Sequence, residues 1–278
     1  MPAHDLLKIA NVLRADVLTM VHGVGAGHVA GPLSSADIIA SLYFDGVLKY
    51  DVNNPWWDER DRFILSCGHY APILYATLAR AGFFYPHELT TFMKASSRLP
   101  GHPEYRCVPG VEATTGTLGQ GVSFAVGQAM AIKLKYGERP RVETPRVYCM
   151  LSDGELQEGQ VWEAFNTAVR RQLDNLIFIL DRNKIQIEHY ISQVATYGEI
   201  SGRLEGFGLH VLEVDGHDLG KLATAWDQAE KFQDGPVMIL AQTTAGKGIS
   251  FMEGTPAWHD KAPNQDELLQ ALEELHVV

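Results

Sequence analysis

Apolar positions recur along this chain with two different periods. Leu6, Ile9, Leu13, Val17 and Met20 return every three or four residues, as do Trp162, Phe165, Val169 and Leu173, and this spacing predicts amphipathic helices over residues 5–21 and 158–173. Elsewhere the apolar residues come in short, nearly unbroken runs: RFILS at 62–66, RVYCML at 146–151, LIFILD at 176–181, HVLEVD at 210–215 and VMILAQT at 237–243. A strand covered on both faces reads this way, because neither set of alternating side chains meets water. Runs of this kind between helices predict a doubly wound α/β fold, a mostly parallel sheet with helices on both faces. Near the C-terminus, PNQDELLQALEEL places Glu267 three residues after Asn264, a capping pair that opens a closing helix after an irregular stretch at 244–263. No internal repeat or linker interrupts the pattern, so one domain over residues 1–278 is expected.

Composition narrows the function without naming it. A chain that is 46% hydrophobic and 21% charged has the make-up of an ordinary soluble enzyme or binding protein. Its formal net charge of −11 has the wrong sign for a surface that tracks nucleic-acid phosphates. Cys67, Cys107 and Cys149 share no metal-ligand or redox spacing, which suits reduced structural thiols. The N-terminal segment MPAHDLLKIANVLRADVL lacks a basic flank followed by an apolar block, and the longest apolar runs are too short to span a bilayer. A cytoplasmic protein with no membrane contact is expected.

Two apolar runs end in an abrupt polar residue. VYCMLSDGELQEGQVWEAF reaches Asp153, and LIFILDRNKIQIEH reaches Asn183 just past its end. Ligands of open parallel sheets sit beyond the carboxyl ends of the strands, so adjacent strands would bring this carboxylate and carboxamide together. With a nearby backbone carbonyl they make an all-oxygen set, suited to a hard cation such as Mg2+ or Ca2+ that takes further ligands from water and phosphate. Gly154 allows close backbone approach, and Gly159 opens the next helix, whose free N–H groups favour an anion. Taken singly, Asp153 reads as a helix cap and Asn183 as a turn residue.

Read together, these segments resemble the thiamine-diphosphate motif of the transketolase family, with SDGELQEGQVWEA and DRNKI standing for its two ends and Ser152 where that family usually has Gly. The resemblance implies a metal held on the cofactor's diphosphate by Asp153, Asn183 and the carbonyl of Ile185. It extends along nearly the whole chain, through AGHVAGPLSSADI, SCGHYAPILYATL, RLPGHPE, EATTGTLGQGVSFAVGQAMA and AGKGISFMEGTPAWH. Four of the eleven histidines follow a glycine directly, and such residues can bring donors close to a diphosphate or a polyhydroxylated substrate. By the same matching, His69 and His259 lie near the diphosphate, His28 and His259 near the sugar, and His102 near the hydroxyl beside its carbonyl. Gly116 and Leu118 line the cofactor site, and Glu158 belongs to its polar network, within one chain or across a subunit interface. His217, in DGHD, is read as structural.

The resemblance implies a thiamine-diphosphate-dependent transfer of a two-carbon ketol unit from a ketose (phosphate) to an aldose (phosphate), with His28, His102 and His259 as the catalytic histidines. Two departures, HVAG for His-Pro-Gly and GTLGQG for Gly-Pro-Leu-Gly-Gln-Gly, bear on the donor sugar rather than on the cofactor. The chain matches only the diphosphate-binding part of the family. It is therefore expected to be the N-terminal subunit of a split transketolase, which pairs with a pyrimidine-binding C-terminal subunit in a dimer of heterodimers. The alpha subunit of a 2-oxo-acid dehydrogenase shares the metal motif but not RLPGHPE, and a noncatalytic diphosphate-binding module remains a third reading. GAGHVA also fits a dinucleotide fingerprint at Gly25, Gly27 and Ala30, but it follows a helical pattern where that motif requires a strand.

Overall fold

The computed structural model describes residues 1–137, 139, 143–195 and 198–277. Five parallel strands form the central sheet: β1 (Arg62–Leu65), β2 (Val147–Ser152), β3 (Leu176–Arg182), β6 (His210–Asp215) and β7 (Val237–Gln242), side by side in the order β1-β2-β3-β7-β6. They are the five apolar runs of the sequence, shifted by a residue or two at their ends. A separate antiparallel hairpin pairs β4 (Ile185–Gln186) with β5 (His189–Tyr190).

Helices cover both faces, and the strand side chains divide between them with the period of two that a pleated strand imposes. Phe63, Leu65, Tyr148, Met150, Ile177 and Ile179 enter one core. That core is closed by α1 (Ala3–Val24), α2 (Ala30–Ser34), α3 (Ala36–Phe44), α4 (Ala71–Ala81), α9 (Leu219–Lys231) and α10 (Gln265–Glu274). Ile64, Cys149, Leu151, Phe178 and Leu180 enter the other, beneath α5 (Gln120–Tyr136), α6 (Gly159–Arg170) and α8 (Ile200–Gly206). A short helix, α7 (Ile191–Val194), follows the hairpin.

Helix α1 runs beyond the expected 5–21, to Val24, and stops where Gly25 takes a left-handed conformation whose N–H reaches back to the Val21 and His22 carbonyls. GAGHVA thus follows a helix, which removes the dinucleotide reading. The closing helix α10 begins at Asn264 with the reciprocal bonds to Glu267 that the sequence implied. Among the described residues, no helix is long and apolar enough to cross a membrane. The segments after β1, β2, β3 and β7 all leave the same carboxyl edge of the sheet, and they carry His69, Asp153, Asn183 and the stretch leading to His259.

Candidate cofactor and substrate site

At that edge a pocket of about 240 Å3 is lined by His28, His69, Tyr70, His102, Gly116, Leu118, Ser152, Gly154, Ile185, Gln186, Ile187 and His259. His28 comes from the turn between α1 and α2, His69 from the 3-10 turn Gly68–Tyr70 after β1, and His259 from the end of the 3-10 turn Pro256–Trp258. Their rings are mutual neighbours: centroids lie 4.9 Å apart for His28 and His69, 5.1 Å for His28 and His259, and 5.6 Å for His69 and His259. The Val29 backbone N–H donates to the His259 carbonyl at 3.2 Å, tying the two loops together. On the opposite wall, Gly116 is in the left-handed region at φ 146°, and a Cβ there would lie 3.0 Å from the His102 ring. Gly68 is equally constrained, since its Cβ would lie 2.6 Å from the Gly116 nitrogen.

Burial sets the chemistry of the histidines. His28 is lowered to about 4, first by burial and then by His259 and His102. His69 is held well below the ordinary value by burial and by His28, and burial lowers His259 too. All three are neutral imidazoles at neutral pH, each with one ring nitrogen donating and one accepting. Such a trio fits a ligand rich in hydroxyl and carbonyl oxygens.

The acidic end of the site follows from strand register. Parallel pairing sets Ser152 of β2 opposite Asp181 of β3, so Asp153 and Asn183 emerge side by side. Asp153 is 4% exposed, and its Oδ2 accepts the Lys184 backbone N–H at 2.8 Å. Its Oδ1 is buried with no hydrogen-bond partner, and it makes no helix-capping bond. Burial, then the neighbouring Asp181, pushes its pKa up to about 8. A buried carboxylate with an open oxygen is a costly arrangement that a bound cation relieves. Asn183 does adopt the turn its residue type favours, with Oδ1 accepting the Ile185 N–H at 3.0 Å. Its Nδ2 donates to Tyr70 Oη at 2.8 Å and to Asp181 Oδ2 at 2.9 Å, so the carboxamide cannot flip without losing both.

These residues fit a hard cation: one open carboxylate oxygen, one fixed carboxamide oxygen, and the Ile185 carbonyl within the same short segment. No group of three or more His, Cys, Asp or Glu among the described residues is placed to hold a metal ion. Further oxygen ligands of the kind a diphosphate or water supplies would complete such a set.

Sequence reasoning missed the layer behind this site. Asp181 is fully buried, and its Oδ2 accepts from Ser34 Oγ at 2.7 Å and Tyr70 Oη at 2.8 Å, while its Oδ1 accepts from Thr243 Oγ1. The signal was an aspartate closing an otherwise apolar strand. Its partners are far away in sequence and left no trace. Glu158, expected in a polar network, is exposed at the start of α6 and caps nothing. The buried carboxyl of that motif is Glu155 instead. His217 is structural: its Nε2 accepts the Thr244 N–H at 2.9 Å, which leaves the proton on Nδ1, 2.8 Å from Asp37 Oδ2. Asp37 is in turn paired with Arg14 at 2.5 Å, both 2% exposed.

A family model described as transketolase, thiamine diphosphate binding domain, matches residues 6–276. Among curated proteins, the chain is 41% identical over 271 residues to the 6-deoxy-6-sulfo-D-fructose transketolase subunit SqwG of a Clostridium species, covering 98% of this chain and 96% of that one. It is 39% identical to an apulose-4-phosphate transketolase subunit from Actinobacillus succinogenes, with the same coverage. Human transketolase is 40% identical over 280 residues, but the match takes in only 42% of it. The crystal structure of Campylobacter jejuni transketolase superimposes with a TM-score of 0.92 at 36% identity, over 99% of this chain and 43% of that one. The chain thus spans the length of the separate subunits and less than half of the full transketolases. It belongs to the transketolase family, as that family's thiamine-diphosphate-binding domain.

Proposed function

We propose that this chain is the N-terminal subunit of a split transketolase, which transfers a two-carbon ketol unit from a ketose or ketose phosphate to an aldose or aldose phosphate. The observation that carries the reading is the pocket itself: three neutral imidazoles gather with Gly154 and Ile185 at the carboxyl edge of the sheet, next to the residue whose buried carboxylate oxygen has no partner, Asp153. Asp153, Asn183 and the Ile185 carbonyl would hold Mg2+ or Ca2+. Gly116, Leu118, Gly154, His69 and His259 would surround the cofactor, with Glu158 reaching it only from an assembled interface. Thiamine diphosphate, when bound, supplies the electron sink for cleaving and forming the carbon–carbon bond. His28, His102 and His259 then grip the substrate's hydroxyls and carry protons to and from its oxygens. Burial keeps His28 and His259 unprotonated near neutrality, which leaves each with a ring nitrogen open to accept from a substrate hydroxyl.

Residues 1–278 form the diphosphate-binding unit in this reading, and a separate C-terminal chain brings the pyrimidine-binding one, in a dimer of heterodimers in the cytoplasm. A groove of about 700 Å3 runs along α5 past Phe124, Gly127, Ala131 and Ile132, and Leu134 on that helix is 87% exposed. Apolar surface of this kind suits a permanent partner. The two subunit relatives are named for a sulfonated and a phosphorylated sugar, so we take an anion-ended ketose as the donor class. Among the described residues neither lysine nor arginine lines the pocket, and in this reading the partner supplies the cation that meets that end.

Titrating the candidate partner into the full chain, with ketose turnover and light scattering followed together, tests the proposal. Activity should appear only with the partner and saturate at one partner per chain. Full turnover by the 278-residue chain alone would overturn it.

A further inference from the structure

Behind the pocket wall lies a carboxyl group that the proposed reaction does not use. Glu155 sits in the 3-10 turn Gly154–Gln157 after β2 and is 0% exposed. Its Oε1 accepts two hydrogen bonds, from Ser66 Oγ at 2.5 Å and from the Gly119 backbone N–H at 2.7 Å. Each donor belongs to a different segment of the pocket. Ser66 closes the exit of β1, three residues before His69. Gly119, at φ 86°, is the residue on which α5 begins, directly after Leu118. Glu155 itself is two residues from Asp153. One oxygen therefore joins the three pieces of chain that bring His69, the Gly116–Leu118 loop and Asp153 to the pocket.

Packing alone does not call for a carboxyl here, since Glu155 Oε2 is buried with no hydrogen-bond partner. Burial pushes its pKa up to about 7 against the pull of Ser66 and Gly119, and Cys67 and Cys149 are neighbours whose thiols it raises further. An apolar side chain of similar volume would fill the space but leave the Ser66 hydroxyl and the Gly119 amide without an acceptor. What an apolar group cannot do is hold Ser66 and the Gly119 amide at fixed positions. We propose that Glu155 is a positioning residue, whose Oε1 locks the Gly116–Gly119 loop and the β1 exit against the turn that carries Asp153, so that the cofactor-binding groups are in register before the cofactor arrives. The inference rests on the thiamine-diphosphate reading of the pocket. Glu155 acts through these backbones and touches neither cofactor nor substrate.

The test compares Glu155→Met and Glu155→Gln in the full chain, with Asp153→Ala as a control. Amide hydrogen exchange over residues 115–121 is measured without cofactor, thermal midpoints are recorded, and affinity for thiamine diphosphate with Mg2+ is measured by calorimetry. Glu155→Met should fold with a lowered thermal midpoint, exchange at least several-fold faster over 115–121 than wild type while the rest of the sheet stays protected, and bind the cofactor about tenfold more weakly, the scale of supporting groups behind a metal site. Glu155→Gln keeps an acceptor oxygen and should restore both to within about threefold. Wild-type exchange and affinity in Glu155→Met would overturn the proposal. So would a uniform rise in exchange across the sheet, which marks a merely structural group, or a Gln variant as impaired as Met with its fold intact. The exchange arm needs no ligand, so it judges the tether even if Asp153→Ala binds the cofactor normally, a result that would sink the reading of the pocket instead.

Discussion

Tyr70→Phe removes a single oxygen from the layer that aims Asn183. The ring stays in place, at 2% exposure, so packing is nearly unchanged. Two hydrogen bonds go: Tyr70 Oη to Asp181 Oδ2 at 2.8 Å, and Asn183 Nδ2 to Tyr70 Oη at 2.8 Å. A hydrogen bond to a carboxylate contributes about 1.5–3 kcal/mol, and one between neutral groups about 0.5–1.5 kcal/mol. Neither partner is orphaned, because Asp181 Oδ2 keeps Ser34 at 2.7 Å and Asn183 at 2.9 Å. A loss at the lower part of the summed range, about 2–3 kcal/mol, is therefore expected in urea unfolding of the chain. The carboxamide retains one firm acceptor, so its Oδ1 should loosen rather than flip, weakening metal-dependent thiamine diphosphate binding by about three- to tenfold in calorimetry. Destabilisation below about 0.5 kcal/mol would refute the energetic reasoning. A full stability loss with unchanged affinity would show that the layer serves the core and not the ligand.

Other perturbations give separable outcomes. His217→Ala removes the bonds to Asp37 and Thr244 while leaving the Arg14 pair, and should cost about 2–3 kcal/mol in the same unfolding assay; a loss below about 1 kcal/mol would contradict a structural role. Val29 has φ −121° and uses its N–H on His259. Proline at 29 lacks that donor and fixes φ near about −65°, so Val29→Pro should lower turnover of the assembled enzyme several-fold with cofactor affinity reduced alongside it; an unaffected variant would show that the tie is dispensable. For pH, the folded His28 value of about 4 lies below the unfolded one near 6.5. The unfolded chain then takes up the proton first, so stability is complete above about pH 6.5 and falls as pH drops toward about 4. Allowing for partial solvent access, His28 accounts for about 1–2 kcal/mol of that fall, and His28→Gln should flatten the urea midpoint between about pH 7 and 5; an equally steep profile would assign the fall elsewhere.

The strands were legible because a strand covered on both faces is apolar at every position, and that signature survives without any knowledge of neighbours. The β4–β5 hairpin was not, since each strand has two residues and His189 and Tyr190 are exposed. Asp153 and Asn183 could be paired from sequence because parallel register alone sets them side by side. The groups that hold them could not: Tyr70 and Ser34 lie 111 and 147 residues from Asp181, and no local pattern encodes such a contact. Likewise SDGELQEG shows two glutamates, and only the fold separates the buried Glu155 from the exposed Glu158. The family was readable from motifs along nearly the whole chain, whereas the neutral state of the three histidines depends on burial that arises only once their loops meet.

The metal–diphosphate site is tested most directly by a crystal structure of the full chain with thiamine diphosphate and Ca2+. The ion should lie about 2.3–2.6 Å from a carboxylate oxygen of Asp153, from Asn183 Oδ1 and from the Ile185 carbonyl oxygen, bridging to the diphosphate with His69 and His259 alongside. A cofactor bound elsewhere, or an ion that leaves Asp153 Oδ1 without a ligand, would contradict the assignment.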